Sequence, residues 1–134
     1  MTQMSELNYL GKTTEYPDHP DKAKLDTFPN PAPGRNYQIS LDCPEFTTLC
    51  PITGQPDFAH IVINYIPNEK CVESKALKLY LFAFRNIGSF HEAVTNKILD
   101  DLVAATAPKW MEVIGNFNMR GGIAIKVSAT HGKA

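Results

Sequence analysis

The pattern of apolar and polar positions changes character near residue 36. Before it, 1–34 is polar and proline-rich, with Pro17, Pro20, Pro29, Pro31 and Pro33, and no period of 2 or 3.6 persists. This predicts an extended arm with a disordered leader. From Asn36 onward, Tyr37, Ile39 and Leu41 alternate with Gln38, Ser40 and Asp42, the period of a half-buried strand. Ile61, Ile63 and Tyr65 alternate with His60, Val62 and Asn64 and predict a second strand that ends at Pro67-Asn68. Over 71–85, Leu77, Tyr80, Leu81 and Phe84 recur at helical spacing, while Leu79 and Phe82 lie off that face. A helix buried on two sides follows, the second side suiting another subunit. Ser89-Phe-His-Glu92 has the form of a capping box. It opens a second helix with Val94, Ile98, Leu102 and Ala105 on one face, ending before Pro108. Met111, Val113 and Phe117, then Ile123, Ile125 and Val127, predict two more strands, and Asn118-Met-Arg-Gly-Gly122 supplies the glycines of a hairpin turn.

The order ββααββ predicts an α+β domain over 35–134: an antiparallel four-stranded sheet with both helices on one face. Length agrees, since 134 residues suffice for one domain with a core. A hydrophobic content of 43% with 20% charge is a folded composition. The net charge of −1 gives no electrostatic case for nucleic acid, and no basic stripe with interleaved aromatics is present. Three cysteines make no disulfide framework. The first residues lack the basic start and apolar run of a signal peptide. The longest apolar stretch, 77–84, contains Lys78 and is too short to span a bilayer. The expected setting is a reducing cytoplasm, which keeps a reactive thiol reduced.

One cysteine stands apart. Cys50 lies in Glu45-Phe-Thr-Thr-Leu-Cys-Pro-Ile-Thr-Gly-Gln-Pro-Asp-Phe-Ala59, a turn-rich connection of small polar residues. That setting suits an accessible thiol, which becomes a nucleophile when charge or dipole lowers its pKa. Asp57 cannot lower it and reads as a proton donor or orienter. No cationic neighbour of Cys50 is visible. With nothing to lower it, the thiol keeps its reference pKa of about 8.5, and activity climbs toward that pH.

Three clusters in this order, the Cys50…Asp57 loop, Glu73-Ser-Lys-Ala-Leu-Lys-Leu-Tyr80 and Phe90-His91-Glu92, closely resemble the NADPH-dependent 7-cyano-7-deazaguanine reductase (QueF) family in its short, single-domain form. The likeness runs from about Tyr37 to Val127. It implies the tunnelling fold (T-fold), whose small subunits join their sheets into rings that stack, with active sites at subunit interfaces. It implies a nitrile reductase of queuosine biosynthesis, a tRNA-modification pathway, converting 7-cyano-7-deazaguanine to 7-aminomethyl-7-deazaguanine with two NADPH and no metal. By resemblance, Cys50 forms a covalent thioimide with the nitrile and Asp57 protonates its nitrogen, given a pKa raised by burial against Phe58 and substrate. His91 matches a substrate contact and is assigned to positioning and proton transfer. Glu92 matches the carboxylate that accepts the adjacent N–H donors of a guanine-like ring. Val72, Glu73 and Ser74 match a second substrate-contact segment. Lys75, Lys78 and Arg120 are candidates for the NADPH phosphates. No Rossmann glycine motif is present.

Plainer readings exist for each. Lys75 and Lys78 also read as a solvated helix face, Glu92 as a helix cap, His91 as a surface histidine, Arg120 as a hairpin charge and Glu73 as a first-turn carboxylate. Cys43 and Cys71 read as structural thiols. Two other functions compete. A zinc-dependent cyclohydrolase on the same fold could conscript Cys43, Cys50, Cys71 and His60, but their spacing shows no paired ligand motif. A non-catalytic module would bind the base through Glu92 and turn over no NADPH.

Overall fold

The computed structural model describes residues 15–133. The leader expected at the N-terminus lies outside the described residues. A 3-10 turn, Pro20–Lys22, precedes six strands and two α-helices: β1 (Thr27–Pro29), β2 (Ile39–Leu49), β3 (Pro56–Ile66), β4 (Lys70–Val72), α1 (Ser74–Phe82), α2 (His91–Thr106), β5 (Trp110–Arg120) and β6 (Ile123–Gly132). The main sheet is antiparallel with order β2-β3-β5-β6, and a small second sheet pairs β1 with β4.

The alternation that predicts these strands sorts their faces. Ile61, Ile63, Tyr65, Met111 and Val113 point to one side and are buried against Leu77, Tyr80, Phe84, Val94, Ile98 and Leu102 of the helical layer. The other face carries Ser40, Asn64 and Glu112, joined by Ser40 Oγ donating to Asn64 Oδ1 at 2.7 Å and Asn64 Nδ2 donating to Glu112 Oε1 at 3.2 Å. Gly121 and Gly122 both have positive φ, 56° and 79°, as a two-residue hairpin turn demands.

Five details differ from expectation. β2 continues to Leu49, so the connection holding Cys50 is the short turn 50–55. A bulge between Cys43 and Phe46 shifts the register there, so the simple alternation breaks while the strand does not. α1 starts at Ser74 because Cys71 and Val72 belong to β4, paired with Phe28 and Thr27 of the arm. The capping box is not made: Phe90 is the N-cap of α2 with no side-chain capping bond, and Ser89 Oγ donates to the Phe90 carbonyl at 3.3 Å. Finally, Phe58 is 53% exposed and, one residue along the strand, points away from the face that buries Asp57. It cannot bury that carboxyl.

Candidate active site

Cys50 follows β2 directly, and its turn is closed by main-chain bonds: Cys50 N–H donates to the Gln55 carbonyl at 2.8 Å and Gly54 N–H to the Cys50 carbonyl at 2.9 Å. Gly54 has φ 73°, which glycine adopts without strain. The turn wraps the thiol in donors. Hydrogen bonds from the Thr53 hydroxyl, then from the backbone N–H groups of Thr53 and Ile52, hold the Cys50 pKa below the ordinary thiol value, while partial burial and the charge of Asp57 oppose them. Thr53 Oγ1 also accepts from Gln55 N–H at 3.3 Å, which leaves its own proton for the sulfur. The activating group that the sequence does not reveal is this set of uncharged donors, so the condition for a rate climbing to about pH 8.5 is not met.

Asp57 is the second residue of β3 and is buried, with 7% of its surface exposed. Arg120, at the end of β5, reaches it: Arg120 Nε stands 2.9 Å from Asp57 Oδ1. The same guanidinium donates from Nη2 to the Pro56 carbonyl at 2.6 Å and from Nη1 to Gln55 Oε1 at 3.3 Å. On the other side, His91 Nε2 lies 3.5 Å from Asp57 Oδ2. The imidazole stacks on Phe117, centroids 3.9 Å apart and planes within 8°. Gly115 makes room for that ring, because a Cβ there would stand 2.7 Å from Phe117 Cε2 and 2.8 Å from Thr95 Oγ1. Opposite Asp57 on β2 is Thr48, fully buried, whose Oγ1 has no hydrogen-bond partner among the described residues.

His91 comes to this place through the link between the helices. Leu49 N–H donates to the Ile87 carbonyl at 3.0 Å and Ser89 N–H to the Leu49 carbonyl at 3.1 Å, so the link pairs with the last residue before Cys50. α2 then starts beside the cysteine turn, with His91 half-buried and Glu92 exposed in its first turn. Since Glu92 does not cap the helix, its carboxylate is open to a ligand.

Cys50, Asp57, His91 and Arg120 are thus gathered at one end of the sheet. Val72 and Glu73 are not with them, while Ser74 lines a groove beside β2 that extends to Thr47, whose hydroxyl donates to the Asp57 carbonyl at 2.8 Å. Val72 N–H donates to Tyr65 Oη at 3.1 Å, and from Asp57 to Tyr65 along β3 is about 26 Å at ~3.3 Å per residue. Glu73 is itself the N-cap of α1: Oε2 accepts from Lys75 N–H at 2.5 Å and Oε1 from Ala76 N–H at 3.1 Å. Lys78 lies on the exposed side of α1 and lines a groove of ≈ 440 Å³ against the β2 bulge, with Leu77, Leu81, Phe82 and Arg85. That groove holds Cys43, whose thiol is pushed up to about 11 by burial and then by Asp42. Cys71 is buried in β4. No cluster of three or more metal-ligating side chains occurs among the described residues. No helix among them is long and apolar enough to cross a membrane.

Sequence reasoning missed Thr48, Thr53, Gly115 and Phe117. Only Gly115 left a signal, as a glycine inside a strand pattern, which often marks a close approach.

A family model for QueF-like proteins matches residues 56–134. Among curated proteins, an NADPH-dependent 7-cyano-7-deazaguanine reductase of Anaeromyxobacter sp. (strain K) is 64% identical over 109 residues, covering 81% of this chain and 89% of its own. The protein of that name from Thiobacillus denitrificans is 59% identical over 117 residues, covering 87% of this chain and 84% of its own. Among solved structures, the apo archaeosine synthase QueF-Like superposes with a TM-score of 0.65 at 20% identity, covering 74% of this chain and 95% of its own. At that identity the likeness shows the fold, which is the tunnelling fold.

Proposed function

The chain belongs to the QueF family of NADPH-dependent 7-cyano-7-deazaguanine reductases, and from that premise we propose that it reduces the nitrile of 7-cyano-7-deazaguanine to the aminomethyl group through a covalent adduct on Cys50. The observation that carries this reading is the Cys50 thiol held below its ordinary pKa by three donors, beside a buried carboxyl.

A nitrile carbon is electrophilic only when its nitrogen can shed the charge that addition creates. Cys50 Sγ adds to the carbon, one C–N π bond opens, and the nitrogen takes a proton from Asp57, leaving a thioimide and a carboxylate. His91, 3.5 Å from Asp57 Oδ2, is placed to return a proton to that oxygen. Two NADPH, bound in turn, would each supply one hydride, the first to the thioimide carbon and the second to the imine carbon. Between those reductions the C–S bond breaks and Cys50 leaves as a thiolate, which its donors stabilise. Glu92, exposed in the first turn of α2, accepts the paired N–H donors of the base.

We assign Lys75 and Lys78, three residues apart on α1, to the NADPH phosphates. The residues present fit such a group, since Lys78 and Arg85 sit over an apolar floor of Leu77, Leu81 and Phe82. Val72, Glu73 and Ser74 reach the substrate from a second copy of the chain, because one chain leaves Val72 and Glu73 at the far end of the sheet. Glu73, its carboxylate occupied by α1, contributes through its backbone, and Ser74 through its hydroxyl. The working unit is therefore a homo-oligomer with interface sites, built as stacked rings and working in the cytoplasm. Residues 35–134 are the catalytic unit, and the arm braces it through β1.

The test is NADPH oxidation under reducing conditions, with and without 7-cyano-7-deazaguanine, by the wild type and Cys50→Ala. The reading expects two NADPH per amine formed, and none in the variant. Oxidation that persists in Cys50→Ala would overturn the covalent route, and no oxidation by reduced wild type would overturn the reductase.

A further inference from the structure

We propose that Arg120 is a positioning residue of the addition step, a clamp that sets Asp57 against the Cys50 turn, rather than solely a contact for the cofactor. A hairpin arginine suggests a cation offered to phosphate. In the fold, all three guanidinium nitrogens are already engaged within the site, on Asp57 Oδ1, Gln55 Oε1 and the Pro56 carbonyl.

Those three acceptors are consecutive residues, and they are the ones that join nucleophile to acid. The Gln55 carbonyl closes the Cys50 turn, and Pro56 opens the strand that carries Asp57. One planar fork therefore fixes the turn and the carboxyl in a single geometry. Lysine has three donors too, but on a flexible stem and not in a rigid planar fork, so it could not hold the three acceptors in one fixed geometry. The clamp also fixes which oxygen works. Oδ1 is taken by Arg120, so Oδ2, the one facing His91, is left to carry the transferable proton. The cation has a second effect. The charged or titratable groups facing the thiol are Asp57 of β3, which opposes the thiolate, and around that carboxyl Arg120 of β5 and His91 of α2. While Asp57 carries its charge, before Oδ2 receives the proton it passes on, removing the guanidinium leaves that charge uncompensated beside Cys50 and raises the cost of the thiolate.

The nitrile arm of the test rests on the reductase reading, and a second arm does not. In the first, the adduct between Cys50 and 7-cyano-7-deazaguanine is timed by intact mass without NADPH, in the wild type, Arg120→Gln and Arg120→Lys. In the second, alkylation of Cys50 by iodoacetamide is followed against pH in the same proteins, with no nitrile present. The clamp predicts adduct formation at least tenfold slower in Arg120→Gln and an alkylation curve moved to higher pH. Arg120→Lys should restore the alkylation curve and only part of the adduct rate. Equal adduct rates and superimposed alkylation curves in all three proteins, with only KM for NADPH raised, would overturn the clamp and leave the reductase standing. No wild-type adduct would overturn the covalent route and with it the clamp's part in addition, while a shifted curve in Arg120→Gln would still uphold its hold on the Cys50 turn. Should Arg120→Gln fail to fold, Arg120→Lys decides alone: a wild-type adduct rate in it would overturn the clamp.

Discussion

Asp57 and Glu73 are buried to the same degree, 7% exposed each, at opposite ends of the same molecule. Their partners differ in kind. Glu73 is held by the backbone N–H groups of Lys75 and Ala76, which are fixed once α1 forms. Asp57 is held by two side chains, Arg120 and His91, whose own positions depend on a hairpin and a helix start. A carboxylate held by main-chain donors is part of the architecture. One held by an arginine and an imidazole can exchange a proton without unfolding anything. The two thiols near β2 repeat the lesson. Cys43 in its groove is pushed up to about 11, while Cys50, among N–H and hydroxyl donors, is held low.

The largest break in this comparison should come from Asp57→Asn. The amide keeps the shape and cannot supply the proton, so turnover should fall by about 10²–10⁴-fold, the range for a lost general acid. Circular dichroism should be unchanged, and a loss of helix signal would mean that Asp57 is structural after all. Next in size is a restoration. If the far end of one chain serves the Cys50 end of another, co-expressing Cys50→Ala with Ser74→Trp should give mixed assemblies with clear activity from two inactive parents. Activity no higher than the parents would separate the two ends functionally.

Glu73→Ala acts on the other side of the comparison. Losing the cap should cost about 1 kcal/mol, within the usual ~0.5–2 for an N-cap. Thermal unfolding would show a lower Tm, with the Cys50 alkylation curve unmoved. A shifted curve would couple the two ends in a way the contacts do not support. The smallest effect belongs to Thr53→Val. It removes the first of the donors that lower the thiol pKa, so the Cys50 curve should move to higher pH and alkylation at pH 7 should slow a few-fold. The sign is fixed: fewer donors to the thiolate mean less thiolate at a given pH. An unmoved curve would leave the backbone N–H groups of Ile52 and Thr53 as sufficient.

Much of this was legible in the sequence, for reasons that also explain the rest. Strand alternation in 60–65 and 111–117 survives because one face packs against helices, and the period records that burial directly. The clusters around Cys50, Glu73 and His91 carried the family because they are contiguous. What failed was non-local. α1 was read too long because Cys71 and Val72 pair with the arm, a partner more than forty residues earlier. β2 was read too short because its bulge breaks the period. Ser89 and Glu92 have the letters of a capping box, but Phe90 takes the cap position. The bonds of Arg120 to Asp57, Gln55 and Pro56 arise only when β5 lies beside β3, so no local pattern announces them. The donors to Cys50 are mostly backbone, and the identity of a residue does not reveal where its N–H points.

The central claim is tested most directly by incubating the reduced wild-type protein with 7-cyano-7-deazaguanine in the absence of NADPH and mapping the product by peptide mass spectrometry. One substrate mass on the peptide containing Cys50, none on those containing Cys43 or Cys71, and its loss on adding NADPH is the predicted result. No adduct, or an adduct on Cys43 or Cys71 instead, would contradict it.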